Sequence, residues 1–233
     1  MNRLLKLGGI AAIYEAVAYV IGILFFILIV DITAIETPLE NVALLVENQT
    51  SMLIMTFLIM VIWGFAMIVL ALALYQRLRS ASPARMQIAT VIGVFWACVI
   101  IINGMIFHTS ADRLIELYRT NPDQAASLWL SLDTIRTGLA GGNEFLGGIW
   151  MLLVSSAALS GNVFPKALNY LGLGVGIAGV ISIVPPVAEI FIFIFAFSQI
   201  VWFVWLGKQL ISEKAEQSRE EPQGIYSKLE NVL

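Results

Sequence analysis

The chain has 233 residues and a formal charge of −3, with 59% of its residues hydrophobic and only 12% charged. That apolar fraction lies well above soluble usage and excludes an ordinary water-soluble domain. No basic patch with interleaved aromatics is present, which excludes a nucleic-acid partner.

Six apolar runs follow one another, over 8–30, 51–75, 87–107, 138–160, 168–184 and 187–207. A helix needs about 20 apolar residues to cross a hydrocarbon core ~30 Å thick. The first four runs meet that length. The fifth is short, and Pro185-Pro186 separates it from the sixth, so the last two read as a helical hairpin. The predicted fold is all-α: an integral membrane bundle of six transmembrane helices over 1–212, followed by a polar cytoplasmic tail over 213–233.

Span 1 starts after Arg3 and Lys6. Its length and the internal Glu15 argue for a retained span over a cleaved signal peptide. The 31–50 loop carries Asp31, Glu36, Glu40 and Glu47 and no basic residue. Segment 108–137 has more order than a loop. Ser110 is a possible cap for a short helix, and Asn121-Pro122-Asp123 is a strong helix start. A straight helix over 122–160 would be nearly 60 Å long, at 1.5 Å per residue. The expectation is instead a short external amphipathic segment that turns into span 4 where Gly138, Gly141 and Gly142 cluster. Beyond span 6 the charge-dense tail is expected to continue as helix and fray at Pro222 and Gly224.

Orientation follows from the basic residues of the short loops. Threading six spans puts Arg3, Lys6, Arg77, Arg79, Arg85, Lys166, Lys208, Lys214, Arg219 and Lys228 on one side. Only Arg113, Arg119 and Arg136 fall on the other. The expected location is the plasma (inner) membrane, with both termini cytoplasmic.

Several chemistries drop out. Cys98 is the lone cysteine, so there is no intramolecular disulfide and no thiolate cluster. His108 is the lone histidine, which removes a bis-His haem and any paired-histidine zinc site. No Gly-x-Ser-x-Gly element is present. No catalytic residue, metal or cofactor is expected.

Ionisable groups inside a membrane are costly and tend to face a cavity or one another. Glu15 lies near the middle of span 1. Asn103, His108, Arg136, Asn143, Glu144 and Glu189 share the outer third by depth. One reading is an outward-facing polar pocket, with Arg136 binding an anionic group and Glu144 exchanging a proton. The other is a structural ion pair of Arg136 with Glu144 or Glu189. Glu15 is expected to face the bundle, either as a structural carboxyl or as a proton-exchanging one. Trp202 and Trp205 read as interface anchors, and glycines in spans 4 and 5 as points of close helix approach.

Three motifs carry a family resemblance: Asn2-Arg3 with Gly8-Gly9 before span 1, Arg136-Thr137-Gly138 at the entry to span 4, and Phe164-Pro165-Lys166-Ala167-Leu168 leading into Gly172-Leu173-Gly174. Over roughly residues 2–210 the chain resembles the uncharacterised bacterial membrane proteins of domain of unknown function 4386. Members often have an acid directly after the span 4 arginine, where this chain has Thr137. The resemblance implies a six-span fold and brings no activity with it.

The favoured function is a non-enzymatic structural or accessory role, binding membrane lipid, a partner membrane protein or a second copy of the chain. The alternative is a small transporter or sensor of an anionic or amphipathic ligand that uses the outer pocket. An intramembrane acid–base enzyme is a further alternative.

Overall fold

In lipid, every backbone polar group must be satisfied within its own segment, so long apolar runs become helices. The structure, a computed structural model, describes residues 2–30 and 36–230, and these contain helices and turns without a strand. Helix α1 is Asn2–Leu28, α2 is Pro38–Glu47, α3 is Gln49–Thr56 and α4 is Trp63–Leu78, with a π-helical turn at Phe57–Ile62 joining the last two. Then come α5 (Pro83–Thr120), α6 (Pro122–Ser160), α7 (Lys166–Ile181) and α8 (Ala188–Glu230), with a 3-10 turn at Pro185–Val187 before α8. Among the described residues, four segments are long and apolar enough to cross a membrane: Arg3–Leu28, Gln49–Leu78, Pro83–Thr120 and Pro185–Ser212. Helix α7 is apolar but shorter, at 16 residues. The protein is therefore membrane-embedded.

The long helices form a closed ring. Each packs against the next in sequence from α4 to α8, and α1 closes the ring by packing against both α8 and α4. Lipid tails are as apolar as leucine, so close packing has to hold such a ring together. Glycine makes two of the seams. A Cβ on Gly148 of α6 would stand 2.8 Å from the Gly176 carbonyl of α7, and one on Gly207 of α8 would stand 2.8 Å from the Gly9 carbonyl of α1. Backbones meet there because neither side carries a side chain.

Indoles fill the middle of the ring. Trp63 of α4, Trp96 of α5, Trp150 of α6 and Trp202 of α8 are all buried. Their ring centroids follow one another at 5.1, 5.9 and 5.8 Å, in edge-to-face or tilted pairs. Such pairs add about 0.5–1.5 kcal/mol each beyond simple burial. Trp202 is thus a core residue and not the interface anchor that its position near the cytoplasmic edge suggests. Burial between facing helices outweighs the preference of indole for headgroup depth. Trp205 is half-buried beside it.

The end of the bundle that carries α2, expected to lie outside, departs most from expectation. Helix α5 runs unbroken to Thr120, and the Ser110 hydroxyl donates to the Ile106 and Phe107 carbonyls of the same helix, so it starts no new one. Helix α6 likewise runs unbroken from Pro122 to Ser160, without the separate surface segment expected before span 4. At 1.5 Å per residue both are nearly 60 Å long. They stand as a hairpin projecting past the apolar zone, and α2 packs against both. The reason is a second apolar core. Val42 and Leu45 of α2 join Phe107, Ala111, Leu114 and Ala125 of the hairpin, so one face of the projecting turns is covered by protein while the other stays exposed. At the other end α8 continues through Pro222 to Glu230.

Helix α2 lies in the segment taken as a loop. Thr37 and Glu40 form a capping box around Pro38: the Glu36 and Thr37 backbone N–H groups donate to Glu40 Oε2 at 2.7 and 2.8 Å. Those bonds hold the Glu40 carboxyl below the usual carboxylate range. A lowered folded-state value adds stability above the unfolded value, about 4.3, and that contribution is lost as pH falls through the folded one. Glu40→Gln is therefore expected to weaken the outer cap at neutral pH, with the gap to wild type closing on acidification, as read by thermal unfolding in detergent across pH. At the α6–α7 seam, Gly148→Val is expected to cost about 1–3 kcal/mol through overpacking. Gly174→Val has nothing within 4 Å of its new Cβ and should leave the unfolding temperature near wild type.

Candidate functional site

Helix periodicity places Ala12, Glu15, Ala16 and Tyr19 on the inward face of α1. On α8 the same rule aligns Phe195, Gln199, Trp202, Phe203 and Leu206, all buried. The two helices run antiparallel, with Gly9 beside Gly207. Glu15 and Gln199 consequently sit at matching depth, facing the middle of the ring. Both are fully buried, and neither the Glu15 carboxyl nor the Gln199 amide has a hydrogen-bond partner. The Trp63 Nε1 is also buried and unpartnered.

A second set of polar groups enters from α5 and α6. Trp96 Nε1 donates to Asn143 Oδ1 at 2.7 Å, and Asn143 Nδ2 donates to Glu144 Oε1 at 3.0 Å. The Tyr19 hydroxyl lies beside Asn143 and Gln199, within electrostatic range of both Glu15 and Glu144. A polar layer thus crosses the ring at one depth, carried by α1, α6 and α8 and backed by Trp63 and Trp96.

Above this layer, toward the end that carries α2, is a cavity of about 600 Å³ that opens sideways between α1 and α8, where Ile27, Phe193 and Phe197 are exposed. Its floor is Tyr19, Trp63 and Asn143, and its walls are Ile23 and Phe26 of α1, Ile59 and Met60 of the π turn, and Phe193 and Phe197 of α8. Wall and floor differ sharply: aliphatic and phenyl groups above, amide and phenol below. The π turn shapes one wall. It leaves the regular pattern of backbone bonding, and the Leu58 carbonyl accepts a bond from the Tyr14 hydroxyl at 2.7 Å. π turns inside α-helices are frequent at functional sites.

The residues singled out from sequence separate into distinct places. Glu15, Asn143 and Glu144 belong to the polar layer. Arg136 and Asn103 pair with each other: Arg136 Nε donates to Asn103 Oδ1, and Asn103 Nδ2 donates to the Arg136 carbonyl, both at 3.0 Å. The guanidinium also lies over the Phe107 ring, 4.9 Å from its centroid. The expected ion pair of Arg136 with Glu144 or Glu189 is absent. An ion pair does form between Arg113 and Glu116, on exposed α5 surface. An amide and a ring face hold the guanidinium because Asn103 projects directly across the α5–α6 seam. His108 packs edge-on to Phe57 and Phe107 with its Nε2 unpartnered. Glu189 is exposed at the start of α8. Among the described residues no cluster of three His, Cys, Asp or Glu side chains could hold a metal.

Tyr19, Trp63, Trp96 and Gln199 were not singled out from sequence. The available signal was tryptophan away from the headgroup zone, as at Trp63, Trp96 and Trp150. A glutamine within the last apolar run was a second signal.

A family model described as Domain of unknown function (DUF4386) matches residues 7–207, and the chain belongs to that family. No curated protein and no solved structure matches it.

The Arg136–Asn103 pairing makes a specific expectation. Asn103→Leu should leave a largely buried guanidinium with one partner fewer and cost about 1–3 kcal/mol. Glu144→Gln should cost less, because the amide oxygen still accepts from Asn143. Thermal unfolding of both variants in detergent gives the ranking, and a reversed order would reject the assignment.

Proposed function

We propose that this DUF4386 member is a six-span protein of the plasma (inner) membrane that binds an amphipathic, lipid-like molecule in its intramembrane cavity, without catalysing a reaction. The observation that carries the reading is the cavity itself. About 600 Å³ falls within the 300–1,000 Å³ typical of small-molecule sites, and apolar walls over a few convergent polar groups are the usual make-up of such sites. The walls suit a hydrocarbon chain and the floor suits a polar head.

In this reading α6 and α7 complete the six spans, and both termini are cytoplasmic because ten of the thirteen basic residues then lie on that side. The projecting α5–α6 hairpin with α2 lies outside. The same cavity serves a small transporter or sensor. The unpartnered Glu15 below the floor favours that second reading, because a carboxyl buried without a structural bond is available to a ligand.

Filling the cavity tests the proposal. Ala196 lines it, and Ala196→Trp should block it from the α8 side. Native mass spectrometry of the wild type purified in mild detergent should show a retained lipid-sized adduct, and the variant should lose it while keeping its unfolding temperature. Equal retention by both proteins, or none by either, would reject the cavity as the binding site.

A further inference from the structure

Resting on the cavity reading, we propose that the head of the ligand is a cation: the cavity floor is an aromatic seat, underlain by the carboxyls of Glu15 and Glu144, for the positive end of an amphipathic molecule. Four observations converge on the sign of the charge. First, two carboxyls, Glu15 and Glu144, stand within electrostatic range of the Tyr19 hydroxyl that lines the floor. Second, neither has a basic partner, and Glu15 is completely buried with both oxygens unpartnered. Third, Arg136 is already held by Asn103 and by the Phe107 face, one seam away. Fourth, the floor presents the rings of Tyr19 and Trp63, and aromatic faces attract desolvated cations.

The distances support the same assignment. Tyr19 and Glu15 are four residues apart on one helix face, about 5–6 Å between their Cβ atoms. A head resting on Tyr19 and Asn143 therefore sits about one helical turn above the Glu15 carboxyl. In a medium of low dielectric an attraction over that distance is strong, whereas water would screen it. An anionic head would meet two acids with no cation between them. A cation with apolar substituents loses little hydration on entry and satisfies both. Gln199, buried beside Tyr19, adds an amide just behind the same floor.

Tetraphenylphosphonium and tetraphenylborate make the test, because they match in size and shape and differ in the sign of charge. Each is titrated into wild type, Glu15→Gln, Glu144→Gln and Ala196→Trp in lipid nanodiscs, with the bound ion measured by equilibrium dialysis. The Ala196→Trp signal is subtracted as partition into the bilayer. The expected result is saturable binding of the phosphonium, with borate binding at least tenfold weaker. Glu15→Gln should weaken the phosphonium at least tenfold at an unchanged unfolding temperature. If Glu15→Gln fails to fold, Glu144→Gln carries the comparison, with a loss of threefold or more expected. Borate binding as tight as phosphonium, or phosphonium binding unchanged in the acid variants, would overturn the cation assignment. If neither ion binds above the Ala196→Trp background while a lipid adduct is retained by the wild type, the cation assignment falls and the cavity reading stands. If the adduct is missing as well, both fall.

Discussion

A ring of helices must have something in its middle. Here that is a column of indoles, one from each of α4, α5, α6 and α8, and the other interior features follow from it. An indole is large and flat, so it spans from one helix to the far side only where the facing backbone recedes. Gly93 recedes for Trp150 and Gly147 for Trp96; a Cβ at either would lie within 2.9 Å of the ring it faces. The glycines of this chain are therefore placed by the tryptophans as much as by the helix seams. An indole also brings one N–H, which in a dry interior needs an acceptor. Trp96 finds Asn143, and that bond brings a polar layer into the centre of an apolar bundle.

The polar layer and the cavity share a cause. Where the indole column stops, at Trp63 and Tyr19, Phe193 and Phe197 of α8 are exposed at the surface and do not fill the centre. The π turn keeps that part of span 2 off the regular helical pitch, and Met60 is directed against Gly104. What remains is open space with a polar base. The same stretch of chain thus ends the packed core and begins the cavity.

Much of this fold was legible in the residues. The six apolar runs became helical segments of the ring, four of which are, among the described residues, long and apolar enough to cross a membrane, and the Asn121-Pro122-Asp123 start became the first turn of α6, with the Asn121 side chain capping Gln124. Glu15 was legible as an inward-facing acid because nothing else in its run is charged. Less was legible at the outer end. Thr37-Pro38-Leu39-Glu40 spells a capping box, but its helix is short, and its stability comes from α5 and α6, far away in sequence. The partner of Arg136 was obscured for a different reason. Charge draws attention to acids, while the residue that meets the guanidinium is an amide fixed by the α5–α6 seam. The tryptophan column could not be read from periodicity at all, because it depends on which four helix faces converge.

The π turn also bears on how the chain length of span 2 is counted. A π turn holds one residue more than the α-helical turn it replaces. Removing one residue between Thr56 and Trp63 would let α3 and α4 merge into a single regular helix. It would also rotate α3 by about 100° relative to α4, the angle between successive residues at 3.6 per turn. Met52, buried in the outer core, would swing away from it, and the Leu58 carbonyl would no longer be offered to Tyr14. The extra residue thus acts as a phase shifter, letting one continuous span present its buried stripe to the outer cap at one end and to the indole column at the other.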